Sequence, residues 1–276
     1  RDSYLIVTDY NSPDKLIHLF DKNTFEHLAS STYQGQGPDE ITIIGHVGID
    51  ETNRRFFVSD HGKLKIFAYD LDSVLTTPEY QPSVKIDMKK KLFPDDYLYL
   101  NDTLCIAKII EPIGNNDYKP SVARWNMATE EINPMPYEYP DLKKVRFIYA
   151  ASAEHQLYVQ CYTQYDLMTI CDFNGNLKCN IYGPKWVNEK TQTQHYSLGV
   201  EFCGDKILAL YSGGDHRTDA YYPTKFLVFD LNGNYLKTLE TGYMITDFCY
   251  DKENNRLIIN LNDEIQFAYL DLEGII

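Results

Sequence analysis

Laying the segment that begins at Asp50 over the one that begins at Asp251 matches two distant stretches of this chain without a gap. Asn53 falls on Asn254, Arg55 on Arg256, Asp70 on Asp271 and Leu71 on Leu272. Between these markers, apolar Phe56–Val58 meets Leu257–Ile259, and Leu64 and Ile66 meet Ile265 and Phe267 at the same alternating spacing. Self-similarity over such a distance restricts the fold to repeat architectures.

A second pair lies between the first two. DFNGNLK from Asp172 matches DLNGNYL from Asp230, each after an apolar run, MTIC or FLVF. The same ending recurs in LIHLFD at Asp21 and KIFAYD at Asp70, and more weakly in VARWN at Asn126. Asp21, Asp70, Asn126, Asp172, Asp230 and Asp271 thus close six units of roughly 40 to 60 residues, the period of propeller blades. Alternating apolar strands separated by turn residues fill each unit, and helical stripes are scarce. The Asn-Gly turns need positive φ, which Asn and Gly tolerate.

The spacing predicts an all-β chain: a six-bladed β-propeller of four-stranded antiparallel blades around a central channel, with residues 1–276 as one domain. A pair of β-sandwich domains is the alternative, but the ungapped repeat would then straddle domains. A β-helix would need a much shorter repeat. With strands named a to d from the axis outward, the second blade reads a over 43–50, b over 55–59, c over 63–70 and d over 83–88. The first strand, at 4–8, reads as b, and the last, at 266–271, as c. An a strand for the first blade and a d strand for the last are not evident.

With this repeat in view, the chain resembles the TolB-like six-bladed propellers of Bacteroides and relatives, with a feature shared by NHL-type propellers. The resemblance covers nearly the full length. It rests on the YLIVTD…LIHLFD unit, on GQGPDEI from Gly35 to Ile41, and on the DETNRRFFVSD…KIFAYDL blade. It implies an exported envelope protein, periplasmic or at the outer membrane or surface, often lipid-anchored upstream of a segment like this. It supplies no catalytic residues.

Charge narrows the partners. Against 26 basic side chains stand 40 acidic ones, a formal charge of −14. That field repels phosphate backbones, so no nucleic acid is expected, and a cation or neutral ligand is easier to accept. No apolar run reaches the ~20 residues that cross a bilayer. The abrupt start at Arg1 reads as trimmed, so a missing export segment is no argument for the cytoplasm. The six cysteines form no C-x-x-C pair and read as buried thiols, with Cys171–Cys179 as the pairing a hairpin would allow.

Strand direction alternates, so b–c and d–a connections share one rim of a propeller. The other set is short and uniform, as in DETN, DKENN and NGN. The first set varies: NSPD, EPIGNNDYKP, YTQYD, GPKWVNEKTQTQH and SGGDHRTDAYYP. Variable loops on a rigid scaffold carry binding, so this rim is the predicted site. Its candidate ligand-binding residues are Glu40, Tyr162, Tyr165, Trp186, His195, His216, Arg217, Tyr221 and Tyr222. In DHRTDAYY, aromatic faces suit sugar rings and Arg217 suits a carboxylate. Glu40, Asp96 and Asp247 are the candidates for a divalent cation in the channel, although Glu40 reads first as the end of a turn. Trp125, in an alternating strand, reads as core.

No catalytic residues, G-x-S-x-G elbow or phosphate loop occur, and no cofactor is expected beyond that cation. The expected function is a non-enzymatic binding module for a glycan, peptide or partner protein. The alternative is a metal-dependent hydrolase or lactonase using channel carboxylates.

Overall fold

The computed structural model describes residues 3–88, 92–114, 117–140 and 142–276. Six antiparallel sheets follow one another along the chain, each a meander of consecutive strands. The first contains β1 (Tyr4–Thr8), β2 (Lys15–Asp21) and β3 (His27–Tyr33). The second contains β4 (Ile44–Asp50), β5 (Arg55–Asp60), β6 (Lys65–Asp70) and β7 (Ser83–Asp87). Next come β8 (Phe93–Asn101), β9 (Leu104–Gly114), β10 (Asp117–Asn126) and β11 (Glu131–Pro134). The fourth holds β12 (Phe147–Ser152), β13 (Leu157–Tyr162), β14 (Leu167–Asp172) and β15 (Leu177–Tyr182). The fifth holds β16 (Thr193–Cys203), β17 (Lys206–Asp215), β18 (Lys225–Asp230) and β19 (Tyr235–Glu240). The last has β20 (Ile245–Asp251), β21 (Arg256–Leu261) and β22 (Phe267–Asp271). The fold class is the six-bladed β-propeller.

Four sheets have four strands and the first and last have three among the described residues. The repeat alignment identifies β1 as a b strand and β22 as a c strand, so these two sheets lack the members that the sequence also fails to show. Among the described residues, helix is limited to α1 (Leu71–Thr76) and a short 3-10 turn at Asp219–Tyr221. The expectation of uniformly short c–d turns fails at α1. There Asp70 accepts from the Ser73 N–H at 2.9 Å and caps a helix between β6 and β7. The EPIGNNDYKP stretch, expected as a loop, instead lengthens a hairpin, with β9 running to Gly114 and β10 starting at Asp117.

The sequence matches correspond to shared hydrogen bonding. Asp172 Oδ1 accepts from the N–H groups of Asn174 and Asn176 at 2.8 and 2.9 Å, and Oδ2 from Asn176 Nδ2 at 2.8 Å. Asp230 repeats this with Asn232 and Asn234 at the same distances. Positive φ falls on the glycines alone in these turns, Gly175 at 79° and Gly233 at 85°. A register shift beside each turn absorbs the extra residue, so they are bulged turns rather than two-residue ones. Asp50 and Asp251 likewise accept from the side chains of Asn53 and Asn254, at 2.8 and 2.7 Å.

The backbone forms two compact units, one of residues 1–116 with 122–133 and the other of 117–121 with 134–276. In the first unit, Phe57 and Ile66 pack with Tyr97, Cys105, Ala123 and fully buried Trp125, joining the second sheet to the third. A second cluster joins Leu16, Ile17 and Leu19 to Phe56, Val58 and Tyr69. In the other unit, Val159 and Ile170 pack with Tyr196, Ile207 and Ala209. Phe226 and Val228 pack there with Phe248, Leu257 and Ile259. Each Val, Leu, Ile or Phe among them contributes about 1.5–3 kcal/mol by leaving water. Trp125 is core, as its alternating strand implies. All six cysteines are free thiols; Cys179 lies opposite Ile170 and Cys171 opposite Leu177, so the hairpin register does not face the two cysteines towards each other.

Candidate functional site

Register shifts fall near the start of the first strand in four of the sheets. In β4 the register slips between Ile44 and Val47, in β8 between Pro94 and Asp96, and in β20 between Ile245 and Asp247. β16 slips twice, around His195 and again between Tyr196 and Val200, where Leu198 takes a φ of 66°. Bulges re-aim side chains and are enriched beside functional sites. The residues they re-aim include His46, Asp95, Asp96, His195 and Asp247. Three of these, Asp96, His195 and Asp247, are sequence candidates.

In the first unit the bulges of β4 and β8 bring His46 and Asp96 together, Nδ1 to Oδ1 3.0 Å. Burial disfavours charge on both, but the mutual attraction and hydrogen bond win. The His46 pKa is raised and the Asp96 pKa is lowered. Lys108 pairs with Asp95 at 2.6 Å beside them. His61 stands edge-on to Phe93 at 4.7 Å, and burial lowers its pKa. The Nε2 atoms of His46 and His61 are both buried without a hydrogen-bond partner.

Around this cluster the connections are tightly tied. Fully buried Asp60 accepts from four backbone N–H groups: Thr42 at 2.9 Å, Ile43 at 3.1 Å, Gly62 at 2.9 Å and Lys63 at 3.1 Å. Glu40 closes its turn as the sequence implies, its Oε2 accepting from the Gly37 N–H at 2.6 Å. A Cβ on Gly35 would lie 1.9 Å from that carboxylate, which is why the turn needs glycine there. Lys63 Nζ donates to the carbonyls of Gly37 and Glu40 at 2.5 and 2.6 Å. Asp247, in the other unit, accepts from the Phe248 N–H at 2.8 Å. Among the described residues no three His, Cys, Asp or Glu side chains group to hold a metal ion.

The second unit carries a larger assembly, where the β13–β14 turn meets the connection from β15 to β16. Asp166, 1% exposed, accepts from the Lys185 N–H at 2.9 Å and from the Tyr211 hydroxyl at 3.3 Å. His195 Nδ1 lies 3.3 Å from the same hydroxyl. With Tyr211 donating to Asp166, the network assigns the His195 proton to Nδ1, donating to Tyr211. That leaves His195 Nε2 as a buried acceptor without a partner. Burial lowers the His195 pKa despite the nearby carboxylate, so the ring is held neutral.

An aromatic shelf adjoins this buried trio through the neighbouring pairs Tyr165–Asp166 and Lys185–Trp186. The Trp186 ring stands 5.1 Å from Tyr182, 5.8 Å from Tyr139 and 6.3 Å from Tyr165, and Tyr139 is 6.5 Å from Tyr162. The hydroxyls of Tyr139 and Tyr182 are 3.2 Å apart. Tyr182 is 49% exposed and Trp186 partly so, whereas Tyr162 and Tyr165 are buried at 3% and 2%. The last two therefore form the base of the shelf. The Tyr165 hydroxyl donates to the Lys143 carbonyl at 2.8 Å, fixing the connection that carries Tyr139.

The DHRTDAYY loop is joined to the β15–β16 connection that carries Trp186, the His216 N–H and Nδ1–H both donating to the Gln192 carbonyl, at 3.1 and 2.9 Å. Arg217 is engaged within its own loop, Nε and Nη2 reaching Asp215 at 3.1 and 2.9 Å and holding that carboxyl down at about 2. Tyr221 and Tyr222 stack at 4.2 Å. The structure thus gathers Tyr162, Tyr165 and Trp186 into one shelf, places His195 in the buried trio, and sets His216, Arg217, Tyr221 and Tyr222 on a neighbouring loop. Asp166, Tyr211, Tyr139, Tyr182 and His46 escaped the sequence reading, since nothing in their local pattern separates them from ordinary strand and turn residues.

An all-β propeller fold with aromatic and histidine side chains collected at its b–c and d–a connections defines the class. Residues 1–103 match a family, DUF5128, described as a 6-bladed beta-propeller. No curated protein matches the chain in sequence. Among solved structures it is similar to a DUF4221 member from Bacteroides vulgatus, 12% identical with a TM-score of 0.62, covering 98% of this chain and 92% of that one. A protein of unknown function from Bacteroides caccae is 14% identical with a TM-score of 0.55, over 98% and 90% of the two chains. The extracellular domain of the putative one component system BT4673 from B. thetaiotaomicron is 12% identical with a TM-score of 0.57, and the alignment covers 98% of this chain. This chain spans about a third of that domain, 34% of its length. Among the described residues no helix is long and apolar enough to cross a membrane.

Proposed function

We propose that residues 1–276 work as one propeller domain, a non-enzymatic binding module of the cell envelope that recognises a glycan at its b–c and d–a connections. The carrying observation is the partly exposed Trp186 set edge-to-face against Tyr182 and Tyr139. Exposed aromatic faces with adjacent hydroxyls suit the apolar and polar sides of a sugar ring. The formal charge of −14 favours neutral or cationic ligands over anionic ones. Peptides and partner proteins are the competing ligands on the same shelf. Export to the periplasm, outer membrane or surface rests on the TolB-like and NHL-like features of the sequence. Extracellular domains among its structural neighbours support it too.

A thermal-shift screen over neutral oligosaccharides, peptides and divalent ions tests the reading. A ligand at a hundred times its Kd adds about 2.7 kcal/mol to stability. An oligosaccharide shift that Trp186→Ala removes supports it. A shift from peptides alone replaces the glycan, and one from divalent ions that a chelator reverses revives the hydrolase reading.

A further inference from the structure

The chain is acidic overall, but the two connections that build the aromatic shelf are not. Residues 135–146, between β11 and β12, carry Lys143, Lys144 and Arg146 against Glu138 and Asp141. Residues 183–192, between β15 and β16, carry Lys185 and Lys190 against Glu189. Five basic side chains thus stand against three acidic ones, where the whole chain has 26 against 40.

Ion pairing sharpens the contrast. Glu138 is taken by Lys119 at 3.0 Å and Arg146 by Asp117 at 2.7 Å, both partners lying outside the two connections. Lys143, Lys144, Lys185 and Lys190 are exposed, and among the described residues no carboxylate pairs with them. That leaves Glu189 as their one unpaired counter-charge among the described residues of these connections.

Two of the lysines are anchored at the shelf by their backbones. The Tyr165 hydroxyl donates to the Lys143 carbonyl at 2.8 Å, and the Lys185 N–H donates to Asp166 at 2.9 Å, next to Trp186. The Lys185 side chain reaches towards β17: a Cβ on Gly213 would lie 3.7 Å from its Nζ and 3.1 Å from Tyr211 Cε1. Glycine at 213, with a φ of 75°, puts no side chain between that ammonium and Tyr211. The positive charge is felt in the buried trio, where burial and, to a lesser degree, Lys185 hold the His195 pKa down against Asp166.

Distance decides which charge a bound ligand meets. Exposed charges more than about 8–10 Å apart are screened at physiological salt, so the −14 of the whole chain governs approach and the lysines govern contact at the shelf. An ammonium without a protein partner gains a charge-assisted hydrogen bond from an anionic group.

We propose, resting on the glycan reading of the shelf, that its ligand is an acidic sugar: the ring lies against Trp186, and Lys185 meets its carboxylate or sulfate. Lys143, Lys144 and Lys190 add to the attraction.

The probes are matched pairs of trisaccharides: galacturonate, glucuronate and mannuronate, each with its carboxyl-reduced neutral form, and 6-O-sulfated galactose with the unsulfated sugar. Calorimetric titration of the full chain at about 50 mM salt should show at least one acidic member binding about fivefold tighter than its neutral partner, the gap closing at about 500 mM. The pair that separates tells carboxylate from sulfate. Lys185→Met should remove most of the gap and leave the neutral sugar's affinity within about twofold, whereas Trp186→Ala should weaken both members. Neutral members binding as tightly as acidic ones, or a gap that Lys185→Met leaves intact, overturns the acidic assignment while the glycan reading stands. Binding of no member, acidic or neutral, at about ten millimolar overturns both.

Discussion

His46 Nδ1 stands 3.0 Å from Asp96 Oδ1, each residue placed by a bulge at the start of its own strand. Burial opposes both charges, yet the His46 pKa is raised and the Asp96 pKa is lowered. A raised histidine stabilises below its unfolded value of about 6.5 and loses that contribution as pH climbs through the folded pKa. A lowered aspartate stabilises above about 3.9 and loses its contribution as pH falls through the folded pKa. The pair is therefore strongest between about pH 4 and 6.5. The melting-temperature gap between the native chain and His46→Gln should be wide near about pH 5.5 and narrow by about pH 9. A gap independent of pH contradicts the pairing.

His195 should behave with the opposite sign. Burial lowers its pKa, so the unfolded chain takes up a proton more readily than the folded one. Stability then falls as pH drops below about 6.5 towards the lower folded pKa. His195→Leu should flatten this acid-side decline, read as melting temperature from about pH 8 to 5. An unchanged slope would remove His195 as its source.

Glycine 183 is expected to tolerate no side chain. A Cβ there would lie 2.2 Å from the Asp166 carboxylate, which the Lys185 N–H and Tyr211 hydroxyl hold in place. Gly183→Ala should cost about 1–3 kcal/mol in chemical denaturation. At Gly114 an added Cβ meets nothing within 4 Å. Gly114→Ala should stay within about 0.5 kcal/mol.

The two tryptophans should separate stability from binding. Trp125 is fully buried against Tyr97, so Trp125→Ala should cost about 3–5 kcal/mol. Trp186 lies at the partly exposed shelf, so Trp186→Ala should leave the denaturation midpoint nearly unchanged while weakening oligosaccharide binding at least tenfold. Comparable losses of stability in both variants would make Trp186 a packing residue.

Much of the scaffold is legible along the chain because its causes are local. Aspartates 172 and 230 precede NGN turns that they hydrogen-bond themselves, so motif and geometry coincide. Strand limits in the second sheet fall within a residue or two of the apolar alternation. α1 is not legible in the sequence, because Leu71–Thr76 is too short to show a helical stripe and its cap is the same Asp70 that closes the strand. The turn role of Glu40 is legible in the sequence, since Gly35 and Gly37 sit within reach of its carboxylate.

The site residues divide along the same line. Trp186 and His195 stand out in the sequence as unusual residues in a long polar connection. Asp166 and Tyr211 do not, being 45 positions apart and joined by a hydrogen bond that only the packed sheets create. Alternation and turn chemistry act between neighbours, so the order of residues alone determined a succession of small antiparallel sheets. Which side chains meet at the ends of those sheets depends on bulges and on one sheet packing against the next. Those are contacts between residues far apart in the chain, and tertiary structure alone decided them.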